Sequence, residues 1–206
     1  MPSRFSKALY SGDVGFGFMG SIVMPEQPIS ETVSKLDAAR RQLATAIELW
    51  FHDKDQVSIH TLSFAAYEVI HSVSRKKGRT QTLIFDSPVV KKEYRGQFSS
   101  FVKRTASFFK HGEHDPEGTI EFQPIISEFF IVFAIVGLDA IGISANEYEA
   151  TFMWWFLFNR PEMLTQEGAN KLFNLIPVDA IAELRELSKV EFFKIAFEAR
   201  RSFLNR

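Results

Sequence analysis

From Ser30 to the end of the chain, apolar residues recur every three to four positions, and no stretch sustains strand-like alternation. Residues 82–85 form the best short strand candidate. That periodicity commits the chain to burying helical stripes against one another. Ser30 suits an N-cap, and residues 30–52 carry Val33, Leu36, Leu43, Ile47, Trp50 and Phe51 at helical spacing. Asp55 caps a second predicted helix, whose stripe of Ile59, Leu62, Ala66, Val69, Ile70 and Val73 runs to about Lys77 before Gly78 ends it. Pro88 suits the first turn of a third helix reaching His111, and Pro124 opens a fourth that ends near Gly142. Shorter segments follow. Ser144 with Glu147 reads as a capping box for a helix to Asn159, which Arg160 and Pro161 stop. Residues 165–175 and 177–187 are shorter candidates, and Ser188 with Glu191 is a second capping box opening the last helix. The predicted fold is all-α: an antiparallel bundle of about four long helices with a smaller helical C-terminal part.

Composition narrows this further. Of 206 residues 22 are Phe and none is Cys, so the core is aromatic and neither a disulfide scaffold nor a cysteine zinc site is possible. The ten residues 129–138 are the longest apolar run, about half of the ~20 a spanning helix needs. They read as a buried central helix. Residues 1–29 differ from the rest, with Gly12, Gly15, Gly17 and Gly20 close together and three of the eight Pro. We expect a flexible or irregular N-terminal segment there, and one helical domain over residues 30–206, divided into a bundle (30–142) and C-terminal helices (143–206). With no clear secretory signal, the expected location is cytoplasmic.

The net charge of −1 hides an asymmetry. Residues 75–110 hold ten Lys or Arg against two acids, a local +8 that leaves −9 for the rest. Such a field attracts phosphates even on a nearly neutral protein. Within that window, Tyr94, Phe98, Phe101, Thr105 and Phe108 share one side of the third helix, an expected buried wall. Arg104 and His111 stand seven residues apart. Seven steps of ~100° nearly complete two turns, so both project from one stripe, which also carries Gln97, Ser100 and Ser107. Cleaving RNA without a metal needs a group that removes the 2′-hydroxyl proton and a cation that stabilises the phosphorane. An imidazole suits the first task and a guanidinium the second. Lys103 and Lys110 add positive field, and Ser107 adds a hydroxyl.

Arg104, six intervening residues and His111 resemble the Arg-x4–6-His motif of the HEPN superfamily. The motif's place toward the end of a long helix, and the preceding run HTLSFAAYEVIH, are also similar to that family. The chain further resembles a group of bacterial helical proteins sharing WFHDKDQVSIHTLSFAAYEVIH and FFKHGEHDPEG. Thr105 departs from the family, which often carries Asn, Asp or His after the Arg. The resemblance covers about residues 30–142. It implies a small helical bundle acting as a metal-independent endoribonuclease, with Arg104 and His111 as the catalytic pair, Lys103, Lys110 and Ser107 in binding, RNA or another phosphate-containing ligand as partner, and a homodimer that joins two motifs. The alternative is a non-catalytic helical module that binds a protein or nucleic acid.

Other constellations read more plainly. His111, Glu113, His114 and Asp115 crowd one loop with metal-ligand chemistry, but so short a stretch seldom chelates unaided, and we read a solvated turn that orients His111, with no metal assigned. His60, Phe64, Tyr67 and His71 form one helical stripe, read as core with hydrogen-bonded imidazoles, or else as a pocket facing the third helix. Glu68 is a candidate partner for a basic group. The run of Phe152, Trp154, Trp155, Phe156 and Phe158 is too continuous for one narrow face, and we favour burial over a partner surface. There is no GxxxxGK[ST] loop, HExxH or Ser elbow, and GFGFMG follows no strand; nucleotide-cofactor and Ser-hydrolase chemistry are disfavoured. No cofactor is expected.

Overall fold

A computed structural model describes residues 30–79, 93, 95–112, 115–164, 166, 167, 170, 176 and 178–204. The chain divides into two compact units, Met1–Thr32 and Val33–Arg206. The expected irregular segment 1–29, the strand candidate 82–85, Pro88, Pro177 and most of the candidate helix 165–175 lie outside the described residues.

Within Val33–Arg206 the described residues form seven α-helices, one 3-10 turn and no strand. They are α1 (Lys35–Phe51), α2 (Gln56–Lys76), α3 (Arg95–Lys110), α4 (Ile125–Ala140), α5 (Glu147–Asn159), α6 (Val178–Arg185) and α7 (Lys189–Leu204), with the turn Pro161–Met163 after α5. The all-α bundle expected from periodicity is present. No described helix is long and apolar enough to cross a membrane.

Helix starts follow local hydrogen bonding. Asp55 caps α2 as expected, accepting the Ser58 N–H at 2.7 Å. The first helix starts later than expected. Its cap is Ser34, which accepts the Asp37 N–H at 3.1 Å while its hydroxyl donates to the Asp37 carboxylate at 2.6 Å. Ser30 is coil and Val33 is exposed. The capping box of α5 likewise lies two residues beyond Ser144. Asn146 accepts the Glu149 N–H at 3.0 Å, and Glu149 accepts the Asn146 N–H at 2.8 Å. Ser188 and Glu191 make the expected reciprocal pair at the start of α7. Gly78 and Gly142 close α2 and α4 at φ +69° and +80°, a conformation that strains any other residue.

Cross-helix contacts set the directions. Glu68 meets Lys103, and His60 meets Phe109, so α2 and α3 are antiparallel. The His60 ring meets the Ser127 hydroxyl at one end of α2, and Ser74 reaches the Gly137 carbonyl at the other, so α2 and α4 run parallel. That is what an alternation of direction along the chain requires. The start of α4 meets the end of α5, where Phe129 meets Phe156 and Glu128 pairs with Arg160.

One core joins the elements. Leu43, Ile47, Phe51, Ile59, Tyr67, Ile70, Phe130 and Ile131 of the first bundle are fully buried in the same cluster as Phe152 of α5 and Phe192 of α7. Trp50 meets Phe152 and Trp155 edge-on at 5.1 and 4.3 Å, and Phe51 stacks on Phe192 at 6.2 Å. The aromatic run of α5 is therefore core: Phe152, Phe156 and Phe158 are buried, with Trp154 and Trp155 half-buried against the cluster. A bidentate ion pair fastens α5 to α1. Arg40 donates to Glu149 at 3.1 and 2.9 Å, and Glu149 is fully buried. Glu128 is also buried. Burial raises its carboxyl above the usual range, opposed by Arg160 at 3.3 Å.

Candidate functional site

α3 lies against α2 through Val102, Ala106 and Phe109, spaced i, i+4 and i+7. Ala106 is buried, and its small side chain suits close approach. Val102 packs on the core, and Phe109 meets His60 and Phe122 edge-on at 5.8 and 5.3 Å. Phe108 is half-buried and faces a surface groove, and Thr105 is half-buried. Tyr94 and the side chains of Phe98 and Phe101 lie outside the described residues.

The groove, about 660 Å³, is lined by Ser100, Lys103, Arg104, Ser107, Phe108, His111 and Asp115. Arg104 and His111, the expected catalytic pair, therefore open onto one surface. His111 lies one residue past α3, yet its N–H donates to the Ser107 carbonyl at 3.0 Å. That bond continues the helical turn and keeps the imidazole on the Arg104 stripe. Both side chains are exposed, and Arg104 makes no ion pair among the described residues. Lys103 also lines the groove but pairs with Glu68 of α2 at 3.2 Å, so Glu68 is the acidic partner expected of it. Ser107 is exposed between the pair. Lys110 is exposed but lies off the groove lining. Basic groups at the end of α3 also suit its negative dipole end.

Beyond α3 the chain turns back through residues 115–118, where Gly118 donates to the Asp115 carbonyl at 3.2 Å. The Asp115 carboxylate lies where a side chain at position 118 would stand, so glycine there leaves it room. Glu113 and His114 lie outside the described residues. Among the others, no group of three His, Asp or Glu is placed to share a metal ion.

Under the groove, His60 occupies an aromatic cage. It is fully buried, with the rings of Phe64, Phe109, Phe122 and Phe130 at 5.0–6.4 Å. Nδ1 shares a hydrogen bond with the Ser127 hydroxyl at 3.1 Å, while Nε2 has no partner among the described residues. Burial pushes this imidazole down to about 4. The stripe of His60, Phe64 and Tyr67 is accordingly core, with His71 half-buried beside Tyr67. Sequence reasoning set Phe108 in a buried wall beside the pair; the structure places it half-buried in the groove lining, four residues from Arg104 and three from His111, a spacing that marks one helical face.

No protein-family model, curated protein or solved structure matches the chain.

Proposed function

We propose that the α3 groove binds the phosphodiester of RNA and cleaves it in the manner of a HEPN-like endoribonuclease. The observation that carries this reading is the shared opening of Arg104 and His111 onto one exposed groove, with the Ser107 hydroxyl between them. Arg104 is the phosphate clamp, its planar guanidinium offering two parallel N–H donors to two phosphate oxygens. His111 takes the proton from the 2′-hydroxyl as that oxygen attacks phosphorus. The bond from phosphorus to the 5′ oxygen breaks, leaving a 2′,3′-cyclic phosphate. The departing oxygen receives its proton from the imidazolium of a second copy, which is the chemical reason for a homodimer. Lys103, held by Glu68, adds field at the rim, and Lys110 adds it from farther off.

The test is cleavage of single-stranded RNA with EDTA present. Wild type is expected to cut, and His111→Ala and Arg104→Ala each to lose about a hundredfold or more. Equal rates for His111→Ala and wild type would overturn the assignment. Binding without cleavage is the second reading. It is favoured by the Lys103–Glu68 pair, which engages one of the groove's cations, and by Asp115, which adds an acid to the lining. On that reading both variants bind more weakly and no variant, wild type included, cuts.

A further inference from the structure

Phe108 is out of place for a residue that only supports a fold. The contact between α3 and α2 is made by Val102, Ala106 and Phe109, so helix docking does not account for the Phe108 ring. The ring is partly buried and lines a groove whose other lining residues carry hydroxyls and charges. Phe109 meets it edge-on at 6.1 Å, which braces the ring from the core side. It stands one turn from Arg104 and one turn from His111, and side chains at those spacings are neighbours.

We propose that Phe108 is a stacking platform for an unpaired nucleobase, making the groove selective for single-stranded nucleic acid. This rests on the reading of the groove as a phosphodiester site and names what recognises the rest of the nucleotide. A nucleotide joins an anion to a flat apolar ring through a short sugar, and the groove presents a guanidinium one helical turn from a phenyl ring. Inorganic phosphate would leave the phenyl in water. A duplex would offer phosphates with its base faces already stacked on one another. Asp115 repels additional phosphates, which limits how much affinity charge alone supplies and leaves the base contact decisive. Stacking of this kind tolerates any base, because every base has a π-face.

The experiment measures fluorescence anisotropy with two single-stranded 2′-O-methyl oligoribonucleotides of equal length, one bearing bases and one abasic. The methyl group removes the nucleophile, so binding is read without turnover. Wild type should prefer the base-bearing strand by about tenfold. Phe108→Leu should abolish that preference while retaining the abasic affinity, and Phe108→Trp should restore it. Arg104→Gln should weaken both strands alike. If wild type does not discriminate, or if Phe108→Leu still discriminates, while Arg104→Gln weakens binding, stacking is wrong and the phosphate site stands. If neither strand binds wild type, the reading of the groove falls and this inference falls with it. Retained abasic affinity in Phe108→Leu reports a folded groove, and the Phe108→Trp arm tests the same idea with the ring kept.

Discussion

Two buried polar residues decide more about this protein's stability than their number suggests. His60 has an ordinary value of 6.5 when unfolded and about 4 in its cage. Between those values the unfolded chain takes up a proton that the folded chain refuses. The His60 contribution to stability therefore falls as pH falls through that window and is constant below it, a total loss of roughly 3 kcal/mol. Urea titrations at a series of pH values should show this decline, and His60→Leu should flatten it. A wild-type profile as flat as the variant's would contradict the burial argument. Glu149 makes the second case. It is fully buried and fastened to Arg40 through two hydrogen bonds. Arg40→Ala should cost about 3 kcal/mol or more, because it strands a buried charge. The Arg40–Glu149 partnership was not legible in advance. Arg40 and Glu149 are 109 residues apart, and nothing local in either segment names the other.

At the scale of elements, local chemistry was legible where it was self-contained. Asp55, Gly78 and the Ser188–Glu191 pair all act where the sequence placed them, because each needs only neighbours within four residues. The start of α5 was read two residues early, since Ser144 with Glu147 and Asn146 with Glu149 both satisfy the box pattern. Burial of Glu149 against Arg40 selects the second. Asn146→Ala should then lower stability by about 1 kcal/mol, and Ser144→Ala should change it by less than about 0.5 kcal/mol. Chemical denaturation of the two variants side by side checks the assignment; equal losses would count against it. Periodicity located the described part of α3 but not its orientation. Val102, Ala106 and Phe109 are the described residues that pack inward, and such fit is a property of two helices together.

For the molecule as a whole, one buried core spans both sides of residue 142. Phe152 and Phe192 share the cluster that holds Phe51 and Phe130. A chain ending at residue 142 leaves Trp50 and Phe51 without their cover from α5 and α7. It should lose cooperative thermal unfolding and aggregate; a sharp transition near that of the full chain would show the first four helices to be self-sufficient. The positive window 75–110 belongs to this scale too. If the groove holds phosphates, the logarithm of affinity for a single strand should fall linearly with that of salt, and Arg104→Gln should lessen the slope by about 0.7. An unchanged slope in that variant would place the phosphate contact elsewhere.

By itself the sequence determined the class of fold, the ends of most helices and the alignment of Arg104 with His111. These follow from 3.6-residue periodicity and from hydrogen bonds that close within one turn, and both act along a single segment. Tertiary structure alone decided that Val102, Ala106 and Phe109 pack inward from α3 and which acid pairs with Arg40. Those outcomes depend on shape and desolvation at surfaces that distant segments build together, and no single segment contains them.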